Sequence, residues 1–166
     1  MRHSPETGMD IYTVPLDGSR PAQPLVATPA DDAQPSFSPD GRWLAYASNV
    51  TGEMQVFITA FPGPGARLQV STAGGVMPVW SPDGARLAYV SQSVLVEATV
   101  QTQPLRVGPT SRIMPFKYLV PRPTRSHDAA PDGRRFLVTT WAPRPDQPVT
   151  SLQVVLNWLG QPPAAR

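Results

Sequence analysis

With 166 residues, 40% of them apolar, and 4 Trp, 4 Tyr and 5 Phe to bury, the chain can fill one domain-sized core, which argues against disorder over most of its length. Its net charge is only +2, and the basic residues, of which Lys117 alone is a lysine, are scattered apart from Arg134-Arg135, so no basic stripe for nucleic acid is built. The count of 0 cysteines excludes disulfides, thiol catalysis and cysteine-ligated zinc, and no run of about 18 apolar residues is present to span a membrane as a helix.

The 22 prolines argue against long helices, because an interior proline removes a hydrogen bond and clashes with the preceding turn. Short strands joined by many loops are expected instead. In chain order, residues 1–9 read as a disordered start without the apolar stretch of a signal peptide. Two strands follow, over 10–16 and 24–28. Residues 35–48 (PSFSPDGRWLAYAS) and 78–91 (PVWSPDGARLAYVS) then match at nine of fourteen positions with an offset of 43. A weaker copy, HDAAPDGRRFLVTT, occupies 127–140. The flanks repeat too: DIYTVPLDG (10–18) resembles QVFITAFPG (55–63), and PLVATPADDAQP (24–35) aligns with RLQVSTAGGVMP (67–78). A period of this length fits one four-stranded propeller blade.

The turn Ser38-Pro39-Asp40-Gly41 has a physical logic shared by Ser81-Pro82-Asp83-Gly84 and Ala130-Pro131-Asp132-Gly133. Proline presets φ for a type I turn, aspartate bonds nearby backbone, and glycine takes the left-handed conformation into the next strand. Each turn therefore joins two antiparallel strands. The strand after it is apolar almost throughout, as a strand covered on both faces must be. Ala45 and Ala88, set between bulky neighbours, suit blades packed face to face.

The fold class read from these signals is an all-β propeller of four-stranded antiparallel blades, with about 3.5 blades present as a fragment of a larger ring. Residues 10–28 supply half a blade, 35–71 and 78–107 two whole ones, and 126–158 the last; 161–166 is a flexible tail. Residues 108–125 are expected to be a long connection between blades. Pro143–Pro148 reads as a rigid loop before a closing strand at 151–158.

The SPDG-centred repeats resemble those of TolB and its relatives among bacterial periplasmic proteins, and those of the non-catalytic propellers of prolyl-oligopeptidase-like peptidases. The ending, Ala130-Pro131-Asp132-Gly133 followed by a proline-rich loop and Leu152–Trp158 (LQVVLNW), resembles the C-terminal propeller of bacterial membrane-anchored serine/threonine kinase-like proteins. That resemblance implies a WD-repeat-like sensor or binding module placed outside the cytoplasm, with a protein or peptide ligand. It carries over no catalytic residue, because the glycine-rich loop, HRD and DFG segments of a kinase are absent from this sequence, as is a peptidase domain.

No catalytic, cofactor-binding or metal site is expected from the residues themselves. A G-x-S-x-G elbow is missing, and the two histidines are read as lying in the disordered start (His3) and in a blade strand (His127). Ser38 and Ser81 are turn residues. Asp31-Asp32 is the one adjacent acidic pair, in a loop where solvent exposure is the default, and Asp40, Asp83 and Asp132 each sit in a separate turn. Gly63-Pro64-Gly65 and Gly74-Gly75 lack the spacing of a phosphate-binding loop, and Trp43, Trp80, Trp141 and Trp158 fall on strands, where packing is expected. The expected function is binding without catalysis, with no nucleic-acid partner and no membrane contact. An accessory peptidase propeller and a TolB-type envelope protein are the alternatives, and open strand edges are expected to favour self-association.

Overall fold

The computed structural model describes residues 2–4, 8–63, 65–115 and 127–138. They form thirteen strands and no helix. Strands β1 (Arg2–Ser4), β2 (Gly8–Thr13) and β3 (Gln23–Val26) make one sheet. The next contains β4 (Asp32–Phe37), β5 (Trp43–Ser48), β6 (Gln55–Ala60) and β7 (Leu68–Gln69) in that spatial order. The third contains β8 (Val76–Trp80), β9 (Arg86–Ser91), β10 (Val94–Thr102) and β11 (Leu105–Pro115), also in order. A final pair, β12 (His127–Ala129) and β13 (Phe136–Val138), lies beyond. All pairings are antiparallel, so each sheet is a meander, and the two complete ones are propeller blades.

The second strand of each blade shows why the sequence lacks a polar alternation. Along β5, Leu44 and Tyr46 face the first sheet, packing with Ile11, Val26 and Phe57. The intervening Ala45 faces the third sheet, joining Val56, Ile58 and Val70 against Trp80, Leu87, Tyr89, Ala98 and Val100. Along β9 the pattern repeats, since Leu87 and Tyr89 point back while Ala88 and Val90 point forward with Leu95, toward Phe136 and Val138. The core is therefore a series of layers between sheets, and burying both faces of a strand requires apolar residues at consecutive positions.

Three expectations need correction. Residues 108–115 are strand, not connection: β11 runs eleven residues beside the nine-residue β10, pairing as far as Val94↔Pro115 through two register shifts. The shift between Ala98 and Val100 absorbs the irregular Gly108-Pro109 segment that hides the strand in the sequence, and the other falls at Ile113. The start is not uniformly disordered, because Arg2–Ser4 pairs with β2 in the register Arg2↔Asp10, His3↔Met9 and Ser4↔Gly8. Thirdly, Asp32 is fully buried and Asp31 half-buried. The proline-rich loop at 143–148, the closing strand at 151–158, the tail at 161–166, Trp141 and Trp158 lie outside the described residues.

Candidate functional site: an arc of turns and a buried acidic junction

The three repeat turns share one geometry. The amides of Gly41, Gly84 and Gly133 each donate at 2.9 Å to the carbonyl three residues back, with φ of 69°, 68° and 63°. In the first turn Ser38 Oγ donates to Asp40 Oδ1 at 2.6 Å and accepts the Trp43 amide at 3.0 Å. Asp40 Oδ1 also accepts the Arg42 amide at 3.1 Å, and its Oδ2 accepts Arg42 Nε at 2.9 Å. Ser81 and Asp83 repeat the arrangement, with Ser81 Oγ donating to Asp83 Oδ1 at 2.5 Å and accepting the Arg86 amide at 2.9 Å. In the third turn Ala130 supplies no hydroxyl, and Arg135 Nε donates to Asp132 Oδ2 at 2.9 Å.

Those bonds stabilise the ionised carboxylates. The Ser38 hydroxyl first, then the Arg42 amide and guanidinium, hold Asp40 down at about 2. Asp83 is lowered chiefly by Ser81, and Asp132 chiefly by the Arg134 amide. The three acids are committed to their own turns as permanent acceptors and are unsuited to donating a proton at neutral pH.

Successive turns touch. A methyl group built on Gly84 would lie 3.6 Å from Pro39 Cδ, and one on Gly133 would lie 3.9 Å from Pro82 Cδ. Arg86 Nη2 donates to the Gly133 carbonyl at 3.3 Å, while its guanidinium lies 3.7 Å from Asp83 and 3.5 Å from Glu97. The turns thus form one arc of loops on a rigid support, the usual setting for recognition.

A second polar feature joins the first two sheets. Asp31 Oδ1 accepts the Met9 amide at 3.1 Å, and the Asp31 amide donates to Asn49 Oδ1 at 2.8 Å. Asp32 Oδ2 accepts the Thr28 amide at 3.0 Å and the Thr28 hydroxyl at 2.8 Å. Asp10 and Asp32 both line a cleft of about 380 Å³ between β2 and β4. The exposure expected for the Asp31-Asp32 pair fails because both carboxylates act as acceptors for backbone where the chain crosses between blades.

The remaining singled-out residues separate. His127 is buried on β12, Trp80 Nε1 donates to the Ser36 carbonyl at 3.2 Å across the blade boundary, and Trp43 packs on the core between the two complete blades. Gly74 and Gly75 sit against Glu53 and Ser71, and Gly63 and Gly65 against Ala60. Among the described residues no group of three His, Cys, Asp or Glu could hold a metal ion. Arg86 as a link between blades escapes sequence reasoning, since the residue at its position in the preceding repeat is Trp43, which packs on the core.

Meandering four-stranded blades with layered apolar junctions and Asp-Gly turns define a β-propeller protein. The model of the TolB beta propeller domain matches residues 1–140, and the chain belongs to that family. Among solved structures it is similar to a protein assigned as TolB from Agrobacterium tumefaciens, with 23% identity and TM-score 0.51, over 64% of this chain and 43% of that one. It is also similar to TolB from Acinetobacter baumannii, with 18% identity and TM-score 0.51, over 73% of this chain and 29% of that one. The chain thus spans less than half the length of either structure. No curated protein matches it.

Proposed function

We propose that this chain is a non-catalytic TolB-like propeller module that binds a protein or peptide, and that it works outside the cytoplasm as the sensor part of a larger bacterial protein such as a membrane-anchored serine/threonine kinase. The arc of turns carries the reading. It offers exposed backbone and arginine side chains from consecutive blades, while its three carboxylates are used up in holding the turns rigid. Rigid loops lose little entropy on binding, which favours recognition of a partner by shape and hydrogen bonding. The TolB family membership supports a protein ligand and an extracytoplasmic setting, and the C-terminal resemblance supports the kinase linkage.

Two experiments test it. A photo-cross-linking amino acid at Ala85, exposed on the arc, should give a protein adduct in the source cell envelope that the same label at exposed Gln92 does not; equal labelling from both positions would overturn the assignment of the arc. Sequencing the coding region upstream of Met1 tests the kinase linkage. A kinase domain and an apolar helix in frame support it, whereas a hydrolase domain in frame supports an accessory peptidase propeller instead.

A further inference from the structure

We propose that the cleft between β2 and β4 is a binding site for a small organic cation with a short apolar stem, such as an alkylguanidinium, whose charged head pairs with Asp32. The walls are Ile11, Tyr12, Val14, Ala22, Ala33 and Pro35, and Asp10 and Asp32 supply the acidic groups. A cleft of about 380 Å³ lies in the size range of small-molecule sites, which combine apolar walls with a few placed polar groups.

Asp32 is the central observation. It is 0% exposed, and while Oδ2 accepts both Thr28 bonds, the buried Oδ1 has no hydrogen-bond partner. No cation pairs with it among the described residues. Leaving one oxygen of a buried carboxylate unmatched is costly, and a guanidinium or ammonium head in the cleft would satisfy it with a charge-assisted hydrogen bond. The negative charge of Asp32 is felt locally, because it adds to burial in raising the Tyr46 hydroxyl.

The repeat shows that the blade does not require this acid. In the alignment of 24–35 with 67–78, Asp31-Asp32 corresponds to Gly74-Gly75, and Thr28 to Ser71; Asp10 corresponds to Gln55. At the second junction the Gln55 amide contacts the Ser71 hydroxyl at 2.5 Å, and Ser71 Oγ also accepts the Val56 amide at 2.8 Å. A methyl on Gly75 would meet Ser71 Oγ at 2.5 Å, so that position is closed, and its buried Gln55 and Ser71 satisfy each other without a charge. The same backbone position in the first junction carries a half-satisfied carboxylate beside an open cleft. The difference between the copies is one of chemistry, not of fold, and it suits a positively charged ligand.

Titration of the full chain with n-butylguanidinium, followed by methyl NMR of Ile11 and Ala33, tests the proposal. Saturable shifts are expected at both, with the neutral isostere n-butylurea binding about tenfold more weakly or worse, as loss of one buried charged hydrogen bond implies. Asp32→Asn should weaken binding by a similar factor, and Asp83→Asn should leave it unchanged. Because Asp32→Asn could disturb folding, Ala22→Trp is the second variant: it fills the cleft from an exposed position and should abolish the shifts. No saturable shift, equal binding of the urea, or binding that survives both variants overturns the site. The arc of turns is untouched by any of these outcomes.

Discussion

Gln34 and Met77 stand 43 positions apart, both in the left-handed region with φ of 55° and 57°, and Gln34 Oε1 accepts the Met77 amide at 2.7 Å. Each residue sits at the bulge of its blade's innermost strand, where pairing shifts between Ala33 and Ser36 or between Val76 and Val79. The repeat thus reproduces backbone strain as well as sequence, and the bulge of one blade bonds the bulge of the next. A non-glycine residue there costs roughly 1–2 kcal/mol, so the bond offsets part of a real strain. Gln34→Ala should destabilise the protein by about 1 kcal/mol, because the Met77 amide loses that acceptor. Gln34→Gly should cost less, since glycine relieves the φ strain. Urea midpoints for the two variants check the order, and a larger loss for the glycine variant would contradict it.

The missing hydroxyl of the third turn invites a stabilising substitution. Ala130 has the same backbone bonds as Ser38 and Ser81, its amide donating to the Arg135 carbonyl at 2.8 Å. Ala130→Ser should place an Oγ where it donates to Asp132 and accepts the Arg135 amide, adding about 1 kcal/mol. Ser38→Ala should lose a similar amount. Thermal unfolding followed by circular dichroism would read both, and opposite signs are the expected result.

How much of this architecture was readable follows from which forces act locally. The Pro-Asp-Gly turns were legible because proline, aspartate and glycine fix the geometry within four residues, and β5 was legible because burial on both faces removes every polar alternation. The extension of β11 to Pro115 was not legible, since Gly108 and Pro109 mimic a loop and only pairing with β10 keeps them in strand. The tight β9–β10 turn was equally hidden: Gln92 and Ser93 adopt φ of 47° and 59° without the asparagine or glycine that usually marks such a turn. The acidic junction was misread because Asp31-Asp32 has the composition of a loop, and only the approach of Met9, Thr28 and Asn49 turns it inward.

That hidden turn yields a prediction of its own. Replacing Gln92-Ser93 by Asn-Gly keeps the conformation and removes the left-handed cost, so stability should rise by about 1 kcal/mol. A denaturant midpoint that fails to increase, with the far-ultraviolet spectrum unchanged, would count against the assigned turn.

Acid should weaken the arc in a defined window. Asp40 falls from 3.8 to about 2 in the folded protein through Ser38 and Arg42, so its contribution is present above pH 3.8 and is lost as pH falls toward 2. Asp83 and Asp132 are lowered as well and act in the same direction. Stability measured by urea midpoint should therefore decline through that interval, and Asp40→Asn should flatten the decline while leaving the neutral-pH slope unchanged. An identical acid profile for the variant would show that Asp40 does not carry the effect.

Two glycines separate steric from conformational cost. At Gly41, with φ of 69°, a methyl meets nothing within 4 Å, so Gly41→Ala should lose only the left-handed penalty of about 1 kcal/mol. At Gly75 a methyl would stand 2.5 Å from Ser71 Oγ, 2.7 Å from Ser71 Cβ and 3.0 Å from Val56 Cγ2, with Ser71 itself held by Val56 and Gln55. Relief requires displacing a buried hydrogen-bonded serine, so Gly75→Ala should cost about 2–3 kcal/mol. Adding Ser71→Gly to that variant should restore part of the loss, because both clashing atoms, Oγ and Cβ, disappear even as the serine's bonds are given up. If the double variant were no more stable than Gly75→Ala alone, the contact with the Ser71 side chain would not be what excludes a side chain at position 75.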